Sequence, residues 1–340
     1  MAVTGPFAGK ASARGARPAP FEPLKESSIV WPLPPEPARI VYIKTLQKST
    51  DIKSRKGIFK TFARLVFGER IERVVKPYGV TVDGTGRVIA VDSAAKRLHI
   101  FDIEKEKYKV IKGGSKFNFV SPIGVAVDLS DNIYVTDPGG DKVLVFNSKG
   151  RFLFRIDGLS RPTGIAIDNN DHILYVVNTG SHNIKIYDLK GTYIKTIGGR
   201  GSEEGEFNFP TDIFITDNGD IYVTDSMNFR VQKFNNYGRF LMSIGTHGDG
   251  TGNMGRPKGV AVDPDGRIYI VDAIFDTVQI FDQSGNFLLN FGSPGEGAGM
   301  FWLPTGIHVD DNYRIYVADS YNRRLQVFEY LGDRVDVLKR

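Results

Sequence analysis

Residues 257–272 read PKGVAVDPDGRIYIVD, and close variants of this phrase recur along most of the chain. Its first half is a proline, a small or polar residue, then an apolar run ending in Asp or Thr. It returns as PYGVTVD from Pro77, PIGVAVD from Pro122, PTGIAID from Pro162, PTDIFIT from Pro210 and PTGIHVD from Pro304. The prolines follow one another at 45, 40, 48, 47 and 47 residues. The second half is an apolar run ending at Asp92, Asp137, Asn178, Asp225, Asp272 and Asp319. A third run follows, as in RVQKF, TVQIF and RLQVF. A Gly turn and a fourth run, such as GRFLMSI or GNFLLNF, usually complete the unit.

Four short runs rich in Val, Ile, Tyr and Phe, parted by Gly, Asn and Asp turns, describe a four-stranded antiparallel sheet. Six such units at a period in the mid-forties predict an all-β fold, a six-bladed β-propeller of four-stranded blades over 77–335. The repeated proline suits the start of an innermost strand, where one missing donor is tolerated. The sixth unit has only three runs before a short tail, 336–340. Upstream, ARIVYIKTL imitates the fourth-run sequence GTYIKTI, so the strand at 38–46 is expected to complete the last blade. The tail is the competitor for that place. Residues 47–76 read as a linker with one short helical insertion: Ile58, Phe59, Phe62, Leu65 and Val66 recur at helical spacing, and Gly68 stops them. Such a basic amphipathic helix would cap one end of the propeller or lie on a membrane or partner.

Residues 1–37 hold eight of the 17 prolines and read as an extended N-terminal arm. Phe7, Phe21 and Trp31 are spaced along it like anchors. Such an arm either drapes over its own propeller or docks on another subunit or protein, and we favour docking.

Charge is unevenly placed. Residues 1–76 carry 15 Lys and Arg against 6 Asp and Glu, whereas 77–340 carry 29 against 33, a balance of −4. A nucleic-acid platform is expected to be basic on its folded face, so we expect no nucleic-acid partner. No stretch reaches the roughly 18 apolar residues of a transmembrane segment. The 340 residues contain no cysteine, which excludes disulfides, thiolate metal sites and a C-x-x-C-H haem attachment within them. The first thirty residues lack the apolar run of a secretory signal, which suits a cytoplasmic product or an already trimmed chain.

The five histidines fall at different depths of the repeat, and only His308 stands on an innermost strand, where other units carry Ala. It reads as a hydrogen-bonded packing residue and is the one weak candidate metal ligand. The repeated Asp closing each second run reads as a local backbone cap. Asp263-Pro-Asp-Gly266 begins like a calcium loop but reads as a β-turn, because Ile-Tyr-Ile replaces the later ligands. Gly250–Gly255 matches G-x-G-x-x-G but precedes a strand, so no phosphate cradle is expected. No catalytic residue and no cofactor are predicted. The interaction candidates are Ile274 and Phe275, which stand where neighbouring units carry Met227-Asn228 and Tyr321-Asn322, with Met300 and Trp302 in the same register. Together they would form an apolar patch.

The P-x-G-[VI]-A-[VI]-D and IYV-x-D phrases, with DSMNFRVQKF and DSYNRRLQVF, resemble the NHL-repeat family of six-bladed β-propellers. The WPLPPEPARI stretch and the IFKTFARLVFGE insertion are similar to its bacterial exported and cell-surface members. The resemblance implies a non-enzymatic interaction or structural module, an accessory of an extracellular assembly. Its partners would be proteins: copies of itself, or a multihaem cytochrome met through the arm. The implied location is periplasmic or extracellular. A channel-based lyase or lactonase and an RNA-binding propeller are the alternatives.

Overall fold

The computed structural model describes residues 28–52 and 71–332. The helix expected near 56–68, the anchors Phe7 and Phe21, and the tail 336–340 lie outside them. The described residues form six antiparallel sheets arranged as blades. Blade four is representative: Pro210–Ile215 is innermost, followed outward by Ile221–Asp225, Arg230–Phe234 and Phe240–Ile244. The second strand of each blade is buried along almost its whole length, because both of its faces meet neighbouring blades. The hydrophobic core is accordingly divided into six clusters, each at a junction between two blades. Among the described residues no helix is long and apolar enough to cross a membrane.

Near the axis the packing is backbone against backbone. A Cβ placed on Gly79 would lie 2.5 Å from the Ile123 carbonyl oxygen, and one on Gly259 would lie 2.5 Å from that of Thr305. Gly124 and Gly306 are pressed still closer, against the carbonyls of Thr163 and Tyr78. The Pro-x-Gly phrase is therefore a spacing rule: glycine is needed where one innermost strand leans on the next. Threonines at the middle position bridge the same gap. Thr163 Oγ1 donates to the Thr211 carbonyl, Thr211 Oγ1 to that of Lys258, and Thr305 Oγ1 to that of Tyr78.

The ring is closed by the N-terminal strand Ile40–Leu46, which pairs with Arg324–Tyr330 from Ile40↔Tyr330 to Leu46↔Leu325. Leu331 N–H then bonds to the Arg39 carbonyl. Blade six departs from the four-stranded expectation by one strand: Val30–Trp31 pairs antiparallel with Ile40 and Val41, giving five. This pairing seats Trp31 on its own propeller, with ring centroids 5.8 Å from Phe328 and 5.9 Å from Phe291. The arm expected to reach another molecule is, from residue 28 onward, stitched to its own last blade. The cause is the aromatic gap between blades five and six, which the indole fills.

Ile40 and Leu46 are both fully buried, one in each of the two junctions that blade six makes. Ile40→Ala and Leu46→Ala should each cost about 2–4 kcal/mol. Removing 1–46 should abolish the cooperative transition in urea, as followed by Trp302 fluorescence.

Candidate functional site

The six residues that end the second strands are fully or almost fully buried and tie each blade to the loop that leads into it. Asp92 accepts from Val75 and Lys76 N–H, Asp137 from Val120 and Ser121, Asp225 from Asn208, Asp272 from Gly255 and Arg256, and Asp319 from Trp302, all at 2.6–3.1 Å. Asn178 does the same for Ser160 at 2.6 Å with a neutral amide oxygen, so an acceptor is what the position needs. These side chains are not a channel carboxylate ring. In blade one His99 Nε2 lies 3.1 Å from Asp92 Oδ2, a contact made in blades four and six by Gln232 and Gln326. Asp92 shows the balance of forces. Burial raises its pKa, but hydrogen bonds from His99, Ala95 and Val75 outweigh it and hold the carboxyl below its usual range.

Backbone bonds from Met227 to Asn208, Ala273 to Arg256 and Tyr321 to Trp302 knit the inter-blade loops to the loops between second and third strands, so both share one face. That face holds the interaction candidates. Ile274 is 56% exposed, Trp302 46% and Met300 40%, while Phe275 is half-buried against Gly255. The sequence reading missed Phe209, Met227 and Tyr321, exposed on the same face. Trp302 and Tyr321 stand with ring centroids 5.6 Å apart, and Lys76 Nζ lies 4.9 Å over the Tyr321 ring. Phe207 and Phe301, in contrast, are fully buried.

At the axis on this same side stand Tyr78, Asp212 and Lys258, none of which the repeat reading singled out. Asp212 replaces the glycine of Pro-x-Gly in blade four, and its Oδ2 accepts from Val260 N–H at 3.2 Å. Burial raises its pKa to about 7, against hydrogen bonds from Val260 and Ile213 that lower it. Burial also lowers the Lys258 ammonium to about 8, helped by Arg256 and Arg161. Tyr78 is pushed up to about 12 by burial and by Asp212 on the opposite blade. The signal for Asp212 was visible as the one broken glycine of the phrase. What it would meet across the axis was not.

His308 stands on Pro304–Val309 as expected, with burial lowering its pKa to about 4. Its nearest ring is Tyr316 at 6.3 Å, and among the described residues it has no hydrogen-bond partner, which corrects the expected bonded packing residue. The other histidines stand elsewhere: His99 is on an interior strand, His182 and His247 pack at a tilt against Phe209 and Phe229, and His172 occupies a turn between first and second strands. Among the described residues no three His, Cys, Asp or Glu side chains gather as a metal site. The Asp263 segment is a turn: its carboxylate accepts from Asp265 and Arg267 N–H at 3.0 and 2.9 Å.

Residues 207–234 match the family model of the NHL repeat, and residues 253–333 match a family model described as a 6-bladed beta-propeller. With six blades in place, the fold is a six-bladed β-propeller, and residues 207–234 within it carry an NHL repeat. It is 25% identical over 155 residues to a probable peptidyl-alpha-hydroxyglycine alpha-amidating lyase of Caenorhabditis elegans, a match spanning 43% of each chain. The chain thus spans less than half the length of the curated relatives it matches. Among solved structures, virginiamycin B lyase of Staphylococcus aureus superposes with a TM-score of 0.55 at 14% identity, covering 75% of this chain and 95% of that one. Hydrazine synthase of Kuenenia stuttgartiensis does so with a TM-score of 0.57 at 15% identity, covering 78% and 99%. At these identities the likeness is one of fold.

Because Asp212 keeps its proton to a higher pH folded than unfolded, it withdraws stability as pH rises from about 4 through 7. Asp212→Asn should therefore be more stable than the wild type at pH 8, by about 1–2 kcal/mol after allowing for its partial exposure. The two should converge near pH 4 in urea titrations. His308 acts oppositely, withdrawing stability as pH falls from 6.5 toward 4.

Proposed function

We propose that this propeller is a non-enzymatic interaction module that docks a protein partner on the face carrying the inter-blade loops. The observation that carries this reading is the exposure of Ile274, Met300, Trp302, Tyr321, Phe209 and Met227 on one face of an otherwise tightly packed ring. Scattered exposed apolar groups are ordinary, but a cluster contributed by three adjacent blades marks a contact surface. Trp302 beside Tyr321 is the natural anchor, since large flat side chains bury area at little cost in lost rotamers. The partner we infer is a component of an extracellular or cell-surface assembly, a multihaem cytochrome being the class that the family resemblance suggests.

The second reading is a lyase that uses the channel. It is supported by the lyases among the similar proteins and by the unpaired polar groups at the axis. It requires elimination or lactone-opening activity that Lys258→Met abolishes.

The interaction reading is tested with the complex isolated by gentle affinity purification from the native host. Ile274→Ser with Trp302→Ser should weaken partner retention at least about tenfold while leaving the melting temperature within a few degrees, because both side chains are already exposed. Undiminished retention by the double variant overturns it.

A further inference from the structure

The residue before each ring proline obeys a rule that the fold makes meaningful. It is basic in blades one, three and five, as Lys76, Arg161 and Arg256, and neutral in blades two, four and six, as Ser121, Phe209 and Leu303. Alternate blades of a six-membered ring lie about a third of a turn apart, so three cations surround the axis on one face. Lys76 rests over Tyr321, whereas the Arg161 and Arg256 guanidiniums have no hydrogen-bond or ion-pair partner among the described residues.

One step inward is the middle position of Pro-x-Gly. In blades three, four and six it is a threonine whose hydroxyl is spent on the next blade's carbonyl, and in blade two it is Ile123. In blade one it is Tyr78 and in blade five Lys258. These two bring polar ends to the axis, and neither the Tyr78 hydroxyl nor the Lys258 ammonium has a partner among the described residues. Arg161 and Arg256 immediately precede, and Tyr78 and Lys258 immediately follow, the prolines that open the innermost strands of blades one, three and five, which places the four groups at one mouth. Carboxylates on this face are engaged elsewhere: Asp141 accepts from Arg161 N–H, Asp276 from Leu303 N–H, and Asp212 from Val260 N–H.

Like charges drawn together with fewer counter-charges than cations cost free energy in the empty protein. Asp212 is the carboxylate beside this group, on the blade opposite Tyr78, and it faces three cations, Arg161, Arg256 and Lys258, so positive charge stays in excess at the mouth of a propeller that is −4 over residues 77–340. We propose that this channel mouth is a binding site for a small multivalent oxyanion, gripped by Arg161, Arg256 and Lys258 with the Tyr78 hydroxyl as a further donor. Guanidiniums match carboxylate and phosphoryl oxygens in paired hydrogen bonds, and the ammonium adds a point charge from the wall. The ligand is of a size to enter a mouth ringed by six innermost strands, and it carries at least two negative charges. This site uses different side chains from the apolar docking surface, so either inference stands without the other.

The test is isothermal titration of the full chain at low ionic strength with citrate and, separately, inorganic phosphate, against sodium chloride at matched ionic strength. The expected result is saturable one-to-one binding of at least one oxyanion, weakened about tenfold or more by Lys258→Met and by Arg256→Gln. Arg239→Gln, which removes the same charge from a turn on the opposite face, should bind like the wild type. Tighter binding of citrate assigns the site to polycarboxylates, and tighter binding of phosphate to phosphoryl compounds. Arg256 is exposed, so its variant folds even where Lys258→Met does not. Absence of saturable binding by both anions, an equal response to chloride, or unchanged binding by Arg256→Gln overturns the proposal.

Discussion

Around the axis, strands lean on one another at distances that leave no room for a side-chain carbon, and the rest of the molecule is arranged to permit this. Gly79, Gly124, Gly164, Gly259 and Gly306 each face the backbone of the following blade. Where the contact is so close, threonine hydroxyls can reach across and bond the neighbour's carbonyl, which fixes the angle between blades. Six blades must close on themselves, five of them through such a glycine and blade four through Asp212, and the sixth blade lacks a fourth strand of its own. The N-terminal strand Ile40–Leu46 supplies it, so chain closure and ring closure are one event. Its buried ends, Ile40 and Leu46, belong to the two junctions on either side of blade six.

Outward from the axis, burial of acceptors takes over from backbone contact. A carboxylate or amide at the end of each second strand satisfies the N–H groups of the inter-blade loop, at near-zero exposure. An unpaired group there would cost more than the bond itself contributes. The consequence for function is a flat, firmly held face. Loops from different elements are bonded to one another, so the exposed Trp302, Tyr321 and Ile274 project from a rigid base. A surface that is already ordered loses little entropy when it is covered.

Chemistry gathers where the repeat is broken. Asp212 replaces a spacing glycine, Lys258 and Tyr78 replace bridging threonines, and His308 replaces an alanine. Each substitution puts a titratable group where water is scarce, which accounts for the displaced protonation of Asp212, Lys258 and His308. The channel mouth and the apolar surface occupy the same face, one at its centre and the other over blades four to six.

The propeller, its six units and a closing strand upstream of the first unit were legible in the sequence, because each depends on periodicity and turn chemistry that a repeat displays six times over; the Asp closing each second run read as a local cap, whereas its bonds to the inter-blade loop span 16 or 17 residues. The exposure of Ile274 and Trp302 was legible in part, as departures from the repeat. The rest was not. Trp31 read as an anchor for another molecule, yet pairing of Val30–Trp31 with the closing strand lays it on Phe291 and Phe328. Tyr78, Arg161, Asp212 and Arg256 are separated by up to 178 residues and look unremarkable one by one. Only closure of the ring brings alternate blades face to face across a narrow axis. What each blade is follows from about 45 consecutive residues, which encode its strands and turns. The tertiary structure alone decided what the blades share, because charges from separate repeats act on one another only after the ring has closed around them.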